Sequence, residues 1–366
     1  MGQVDHRQMD RAQDDTAAHG ESPPAGGLSL RAPYLIYFGD IQEIAYAKTG
    51  LGLIQWRRDK CVGQLRAPGC AIDGGLKDMS VDEAARAGAK SLIIGVASSG
   101  GSIPDHWLAD LASAARAGLD IVSGMHVHLA RFPEIAAAAR ASGAALIDVR
   151  QAPPDLPVGT GIKRSGNRLL TVGTDCAVGK KYTALAIEKE MRRRGWNADF
   201  RATGQTGIMI AGAGIPIDAV ISDFLAGAAE LISPAGETDH WDVIEGQGAL
   251  AHPSYAGVSL GLLHGSQPNA LVLCHDPLRQ TFIGTETNQP YPIPSLNEAM
   301  KINLAMARCV NADCRFVGVA VNTSCIAASE REGLLKRIAD QTELPTIDPI
   351  KDGAAAIVDR IAADFA

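Results

Sequence analysis

Aromatic side chains are scarce: Phe, Trp and Tyr make up 5% of the 366 residues. Single-stranded nucleic acid is held on stacked rings, so a base-stacking surface is not expected. Positive charge is in deficit as well. Lys and Arg number 34 against 41 Asp and Glu, for a formal net charge of -7. A protein that tracks a phosphate backbone has the opposite balance, although a local basic pocket is compatible with this one. The seven cysteines, at 61, 70, 176, 274, 309, 314 and 325, are odd in number and contain no C-x-x-C pair. That argues against a disulfide framework or a zinc knuckle and fits a reducing cytosol. No apolar run reaches the roughly 18 residues of a membrane-spanning helix. The N-terminus lacks a basic-then-apolar pattern, so no signal peptide is read. These absences leave a cytoplasmic globular protein, expected to be a homo-oligomer, with a small-molecule partner and neither a membrane nor nucleic acid.

The length corresponds to about two domains of roughly 150 residues. Residues 1–32 are polar and irregular, with no apolar period, and read as a disordered extension. From 33 onward short apolar runs alternate with helical stretches. Strands are expected at 34–38, 91–95, 120–123 and 145–148, and helices at 43–48, 81–88, 104–117 and 133–142. That alternation predicts a parallel sheet covered on both faces, a Rossmann-like domain over 33–152. Pro153 and Pro154 then break the pattern, because adjacent prolines continue neither a helix nor a central strand. A second α/β domain is expected over 153–366. Its strands are read at 168–172, 198–202, 241–244, 270–274 and 316–321, and its helices at 180–194, 219–231, 295–310, 329–342 and 354–364.

Between the first strand and first helix of that domain lie Gly173, Thr174, Asp175, Cys176, Ala177, Val178, Gly179, Lys180, Lys181 and Tyr182. A glycine loop there turns successive backbone N–H groups toward phosphate oxygens. The helix N-terminus adds partial positive charge and Lys180 adds a full one. The segment is a P-loop in its proper strand–helix context, with two departures. Five residues rather than four separate Gly173 from Gly179, and Lys181 stands where Ser or Thr would ligate Mg²⁺.

The segment resembles the P-loop of dethiobiotin synthetase and its relatives. A fuller match runs over nearly all of the ordered chain: Gly95 to Gly101, Ser123-Gly-x-His126, Gly173-Thr-Asp-Cys176, the run 202–207, Asp223-Phe-x-x-Gly-Ala228, Glu245-Gly-Gln-Gly248, His252-Pro253 and Leu263-His-Gly-Ser266. In these the chain resembles the family known as domain of unknown function 1611, a P-loop domain preceded by a Rossmann-like one. One branch of that family comprises D-glutamate N-acetyltransferases, which use acetyl-CoA and act beside an N-acetylglutamate racemase. The resemblance implies transfer of an acetyl group to D-glutamate or a related amino acid. Lys181 in place of a metal ligand suits the cradling of coenzyme A phosphates. The alternative is an ATP-dependent ligase or kinase using ATP with Mg²⁺.

Other residues are placed by pattern. Glu245 closes a strand before a glycine turn, where ligand-facing groups of open α/β sheets sit. It is a candidate base for a substrate ammonium; the alternative is a turn carboxylate that accepts from backbone N–H groups. His252 and His264 follow in what read as loops and are further acid–base candidates. His275 beside Asp276 ranks below them. His126, alternating with His128 after a strand, and the Gly204, Gln205 and Thr206 run are candidates for substrate contact. Ser98, Ser99, Gly100, Gly101 and Ser102 read as a second anion-friendly turn, with a plain left-handed turn as the alternative. Asn322 and Thr323 resemble an adenine-reading position, with a turn cap as the alternative. A nucleophilic Cys176 has no base partner in the sequence, and no histidine spacing supports a metal site.

Overall fold

The protein is described here by a computed structural model over residues 28–44, 46–96, 101–285 and 290–365. Most of the expected N-terminal extension and the turn at 98–100 lie outside those residues. The described chain opens with β1 (Leu28–Ser29), which pairs antiparallel with β9 (Ala213–Gly214). Leu30 is buried, and the Arg31 guanidinium donates to the buried Asp120 carboxylate at 2.6 Å. Residues 28–32, read as part of the tail, are therefore docked: Leu28 and Leu30 pack on the core and the Arg31–Asp120 ion pair anchors them.

Two parallel sheets follow. β2 (Tyr34–Gly39), β3 (Cys61–Arg66), β4 (Ser91–Ile94), β5 (Asp120–Ser123) and β6 (Leu146–Asp148) are ordered β3-β2-β4-β5-β6. β2 and β4 are buried at every position. Helices cover both faces, which is why these strands carry near-continuous apolar runs rather than alternation. The second sheet comprises β7 (Asn167–Gly173), β8 (Ala198–Arg201), β10 (Trp241–Ile244), β11 (Ala270–His275), β12 (Arg315–Val321) and β13 (Thr346–Ile347), ordered β13-β12-β11-β7-β10-β8. β7, the first of these in the chain, is central, so its loop emerges at the middle of the carboxyl edge, where open α/β sheets bind ligands. The architecture is the expected one, a Rossmann-like sheet followed by a P-loop sheet. Among the described residues no helix is long and apolar enough to cross a membrane.

Several elements differ from the sequence reading. The helix expected at 43–48 is instead α1 (Lys48–Trp56). Gly50 and Gly52 argue locally against it, yet both are used in packing. A Cβ on Gly50 would lie 2.6 Å from the Phe38 ring, and one on Gly52 would lie 3.2 Å from the Tyr182 hydroxyl. α1 thus wedges between its own sheet and the P-loop domain, where it packs on α6 (Gln205–Ala211). The helix expected over 219–231 begins as two 3₁₀ turns and becomes α7 (Leu225–Ile232) only later. α8 (Ala256–Ser266), read as a loop, contains three glycines. A Cβ on Gly265 would lie 2.2 Å from the Ala226 carbonyl oxygen, so close approach to α7 overrides the low helix propensity of glycine.

Candidate active site

β7 runs into the glycine loop, and α5 (Lys180–Arg193) leaves it. Gly179 caps the helix at φ +105°, a conformation that a side chain would strain. The Lys180 ammonium donates to the Asp175 carbonyl at 2.8 Å and is buried. Burial lowers its pKa, opposed by nearby thiols and carboxylates. Cys176, Ala177, Val178, Gly179, Lys180, Lys181 and Tyr182 all line a cleft of about 530 Å³, within the usual range for small-molecule sites.

Gly173, Thr174 and Asp175 brace the loop rather than line this cleft. Thr174 Oγ1 lies 3.0 Å from His275 Nδ1. The buried Asp175 carboxylate accepts from the Cys176 N–H at 2.6 Å, Arg279 Nη1 at 3.0 Å and the Ile283 N–H at 2.9 Å. It therefore clasps the following loop to the P-loop. Thr183, one turn into α5, donates its hydroxyl to the Gly179 carbonyl at 3.0 Å and does not replace the metal-binding hydroxyl that Lys181 displaces. The Lys181 ammonium sits 4.4 Å above the Tyr182 ring, which stacks on Trp56 at 6.3 Å. Burial lowers the Lys181 pKa, and Glu245 opposes the shift.

Glu245 leaves β10 into the same cleft and is buried. One carboxylate oxygen accepts the N–H groups of Thr203 and Gly204, each at 3.1 Å. Those residues precede α6, so the carboxylate lies at a helix N-terminus. Burial nevertheless raises its pKa, against the opposing pull of Lys181, the two N–H groups and Lys180. Glu245 is thus both cleft-facing and bonded to backbone, although the N–H donors come from the end of β8 rather than from its own turn. Thr203, within the quoted 202–207 run, serves the carboxylate's own residue instead of a ligand: its hydroxyl donates to the Glu245 carbonyl at 2.6 Å.

Gly207 has no room for a side chain, since a Cβ there would lie 2.1 Å from a Glu245 carboxylate oxygen. Gly207→Ala is expected to lower unfolding free energy by about 1–3 kcal/mol, as overpacking does. Denaturant unfolding of the two proteins measures it.

The remaining candidates divide. Thr206 lines the cleft and meets Thr49 of α1, Oγ1 to Oγ1, at 3.3 Å. Gly204 holds Glu245 by its N–H. Gln205 faces the other domain: with its amide turned to suit its neighbours, the nitrogen donates to the Gly124 carbonyl at 2.5 Å and the oxygen accepts from Arg150 at 3.3 Å. It joins the domains rather than facing the cleft. His126 is exposed, its ring packs on Gly101, and it is not among the residues lining the cleft.

His252 is buried, its Nδ1 accepting the Ser254 N–H at 3.0 Å while Nε2 lies 3.1 Å from the Ile283 carbonyl. Both ring nitrogens are occupied, which leaves none for a substrate proton. It is a structural clasp between two loops. His264 belongs to the last turn of α8, not a loop, and lies outside the cleft lining, its Nε2 buried without a hydrogen-bond partner among the described residues. His275 ends β11, and burial lowers its pKa.

Asp175, Cys176 and His252 place ligand-type atoms within 4.8 Å of one another. Arg279 and the backbone donors already fill Asp175, so the group is a hydrogen-bonded clasp. Asn322 reaches the cleft, while Thr323 is buried and bonds Asp348. Sequence reasoning missed Lys48 and Gln247, which also line it; Gln247 lies within the quoted 245–248 motif, whereas Lys48 carried no local signal.

Residues 157–358 match the family described as "Domain of unknown function (DUF1611_C) P-loop domain". Residues 66–152 match "Domain of unknown function (DUF1611_N) Rossmann-like domain". A protein of Tritonibacter scottomollicae named D-glutamate N-acetyltransferase is 47% identical over 334 residues, covering 91% of this chain and 99% of the relative. One of the same name from Pseudoalteromonas sp. is 44% identical over 331 residues, covering 90% and 99%. The crystal structure of a DUF1611 family protein from Anabaena variabilis ATCC 29413 is 32% identical, with a TM-score of 0.77 over 91% of this chain and 100% of that one. With both domains matched in order, the chain belongs to the DUF1611 family.

Proposed function

We propose that this protein is an N-acetyltransferase that moves an acetyl group from acetyl-CoA to the amino group of D-glutamate. Relatives of that name at 44–47% identity over most of the chain support the reaction. The observation that carries the reading to this site is a buried carboxylate, Glu245, sharing a cleft with a P-loop that has Lys181 where a metal-binding hydroxyl would stand. The seven free thiols fit a reducing compartment.

The residues suit coenzyme A. The loop's N–H groups, Lys180 and Lys181 answer phosphate charge without Mg²⁺, and acetyl-CoA supplies an activated thioester carbonyl. Glu245 takes a proton from the acceptor ammonium, which frees the nitrogen lone pair. A C–N bond then forms as the C–S bond breaks, and the second nitrogen proton leaves with the thiol product or to water. Thiol release together with chromatographic detection of N-acetyl-D-glutamate tests the reaction.

Acetylation is expected to persist in EDTA. Lys181→Thr, which restores a hydroxyl and removes a charge, should weaken acetyl-CoA binding, more strongly at low salt where attraction is less screened. Titrations at two salt concentrations check this. Loss of acetylation in EDTA with recovery on Mg²⁺ would favour the ATP-dependent ligase or kinase instead.

A further inference from the structure

Charge around the cleft is unbalanced. Lys48, Lys180 and Lys181 line it, against Glu245 and Asp348. Asp348 is already committed, accepting from Thr323 and from the N–H groups of Ile350 and Lys351. Lys180 is fixed at the P-loop, and Lys181 lies over Tyr182 beside it. Lys48 differs from both. It comes from the Rossmann-like domain, as the first residue of α1, its side chain is exposed, and no carboxylate pairs with it among the described residues.

Its position is set by neighbours. Thr49 meets Thr206, and Thr206 stands two residues beyond Gly204, whose N–H holds Glu245. Farther along, Arg57 donates to the Ile210 carbonyl at 3.3 Å and Lys60 to the Ala211 carbonyl at 3.2 Å. α1 and the turn after it are thereby tied to both ends of α6, which sets where Lys48 starts relative to Glu245. The two groups also differ in depth: Glu245 is buried and Lys48 is at the mouth. Both line the one cleft, Glu245 in its buried wall and Lys48 at its exposed rim.

We propose that Lys48 is a specificity residue that pairs with the side-chain carboxylate of an acidic amino-acid acceptor, so that the Rossmann-like domain completes the acceptor site. This rests on the acetyltransferase reading. It assigns the phosphates to the P-loop side of the cleft and the acceptor's distal carboxylate to the opposite domain.

Steady-state kinetics of the full chain with D-glutamate and D-glutamine, for the natural protein, Lys48→Gln and Lys48→Arg, provide the test. Lys48→Gln should raise KM for D-glutamate about ten-fold, equivalent to about 1.4 kcal/mol. KM for D-glutamine and for acetyl-CoA should stay within about two-fold, and Lys48→Arg should retain the preference for D-glutamate because it keeps the charge. Equal changes for both amino acids, a rise confined to acetyl-CoA, or no change would overturn the assignment while the acetyltransferase reading stands. If the natural protein acetylates neither amino acid, that reading fails and the assignment fails with it.

Discussion

Glu245→Gln is expected to lower D-glutamate acetylation by about 10²–10⁴-fold, the range for a lost general base. The substitution is nearly isosteric, and the amide oxygen still accepts from the Thr203 and Gly204 N–H groups that hold the carboxylate. What disappears is the group proposed to take the acceptor's proton. Burial raises the Glu245 pKa, and only the ionised form acts as base. The rate of the natural protein should therefore rise with pH through that raised value, at higher pH than an exposed glutamate would give. In Glu245→Gln that limb should vanish, leaving only the titration of the amine itself. Pre-steady-state measurement across pH checks both the magnitude and the shape.

The same burial makes Glu245 a liability for stability. A folded-state pKa raised above the unfolded one contributes stability that is present at low pH and is lost as pH rises through the folded value. Above that folded value the ionised group is therefore held at a net disadvantage. Glu245→Gln should not lower Tm there, even as turnover collapses, and thermal melts at neutral and acid pH distinguish this from simple unfolding. Gly207→Ala at the same contact is expected to do the reverse and cost stability through crowding.

Much of this arrangement was legible in the sequence because its signals are local. The P-loop is a strand, a glycine run and a lysine in order, and Glu245 ends a strand before a glycine turn. The elements that were missed owe their conformation to distant packing. α1 contains Gly50 and Gly52, and α8 contains Gly257, Gly261 and Gly265; such segments look like loops until the helix or ring pressed against them is known. The settings of the histidines are hidden for a related reason. A sequence shows that His252 is near the site in the chain, but only the fold shows that Ser254 and Ile283 occupy both of its nitrogens. Lys48 belongs to the other domain, so no spacing within the P-loop domain could single it out.

Lys180→Met is expected to weaken acetyl-CoA binding by about 1.5–3 kcal/mol, the range for a hydrogen bond to a charged group. That corresponds to a loss of roughly ten-fold to more than a hundred-fold in affinity. Methionine keeps an unbranched apolar stem, so the loss measures the ammonium rather than a cavity. In the protein alone that ammonium is buried with the Asp175 carbonyl at 2.8 Å as its acceptor, and burial depresses its pKa. A depressed lysine pKa disfavours the charged form in the fold, so stability from this group is gained as pH rises above the folded value. At neutral pH the unliganded Lys180→Met protein should melt no lower than the natural one. Phosphate oxygens at the loop add counter-charge to that of Asp175 and Glu245, so ligand binding should raise Tm strongly in the natural protein and weakly in the variant. Calorimetric titration with acetyl-CoA and melts with and without it measure the two effects. Unchanged affinity in Lys180→Met would remove the P-loop from cofactor binding altogether. The reaction would then have to be rebuilt around another anion site.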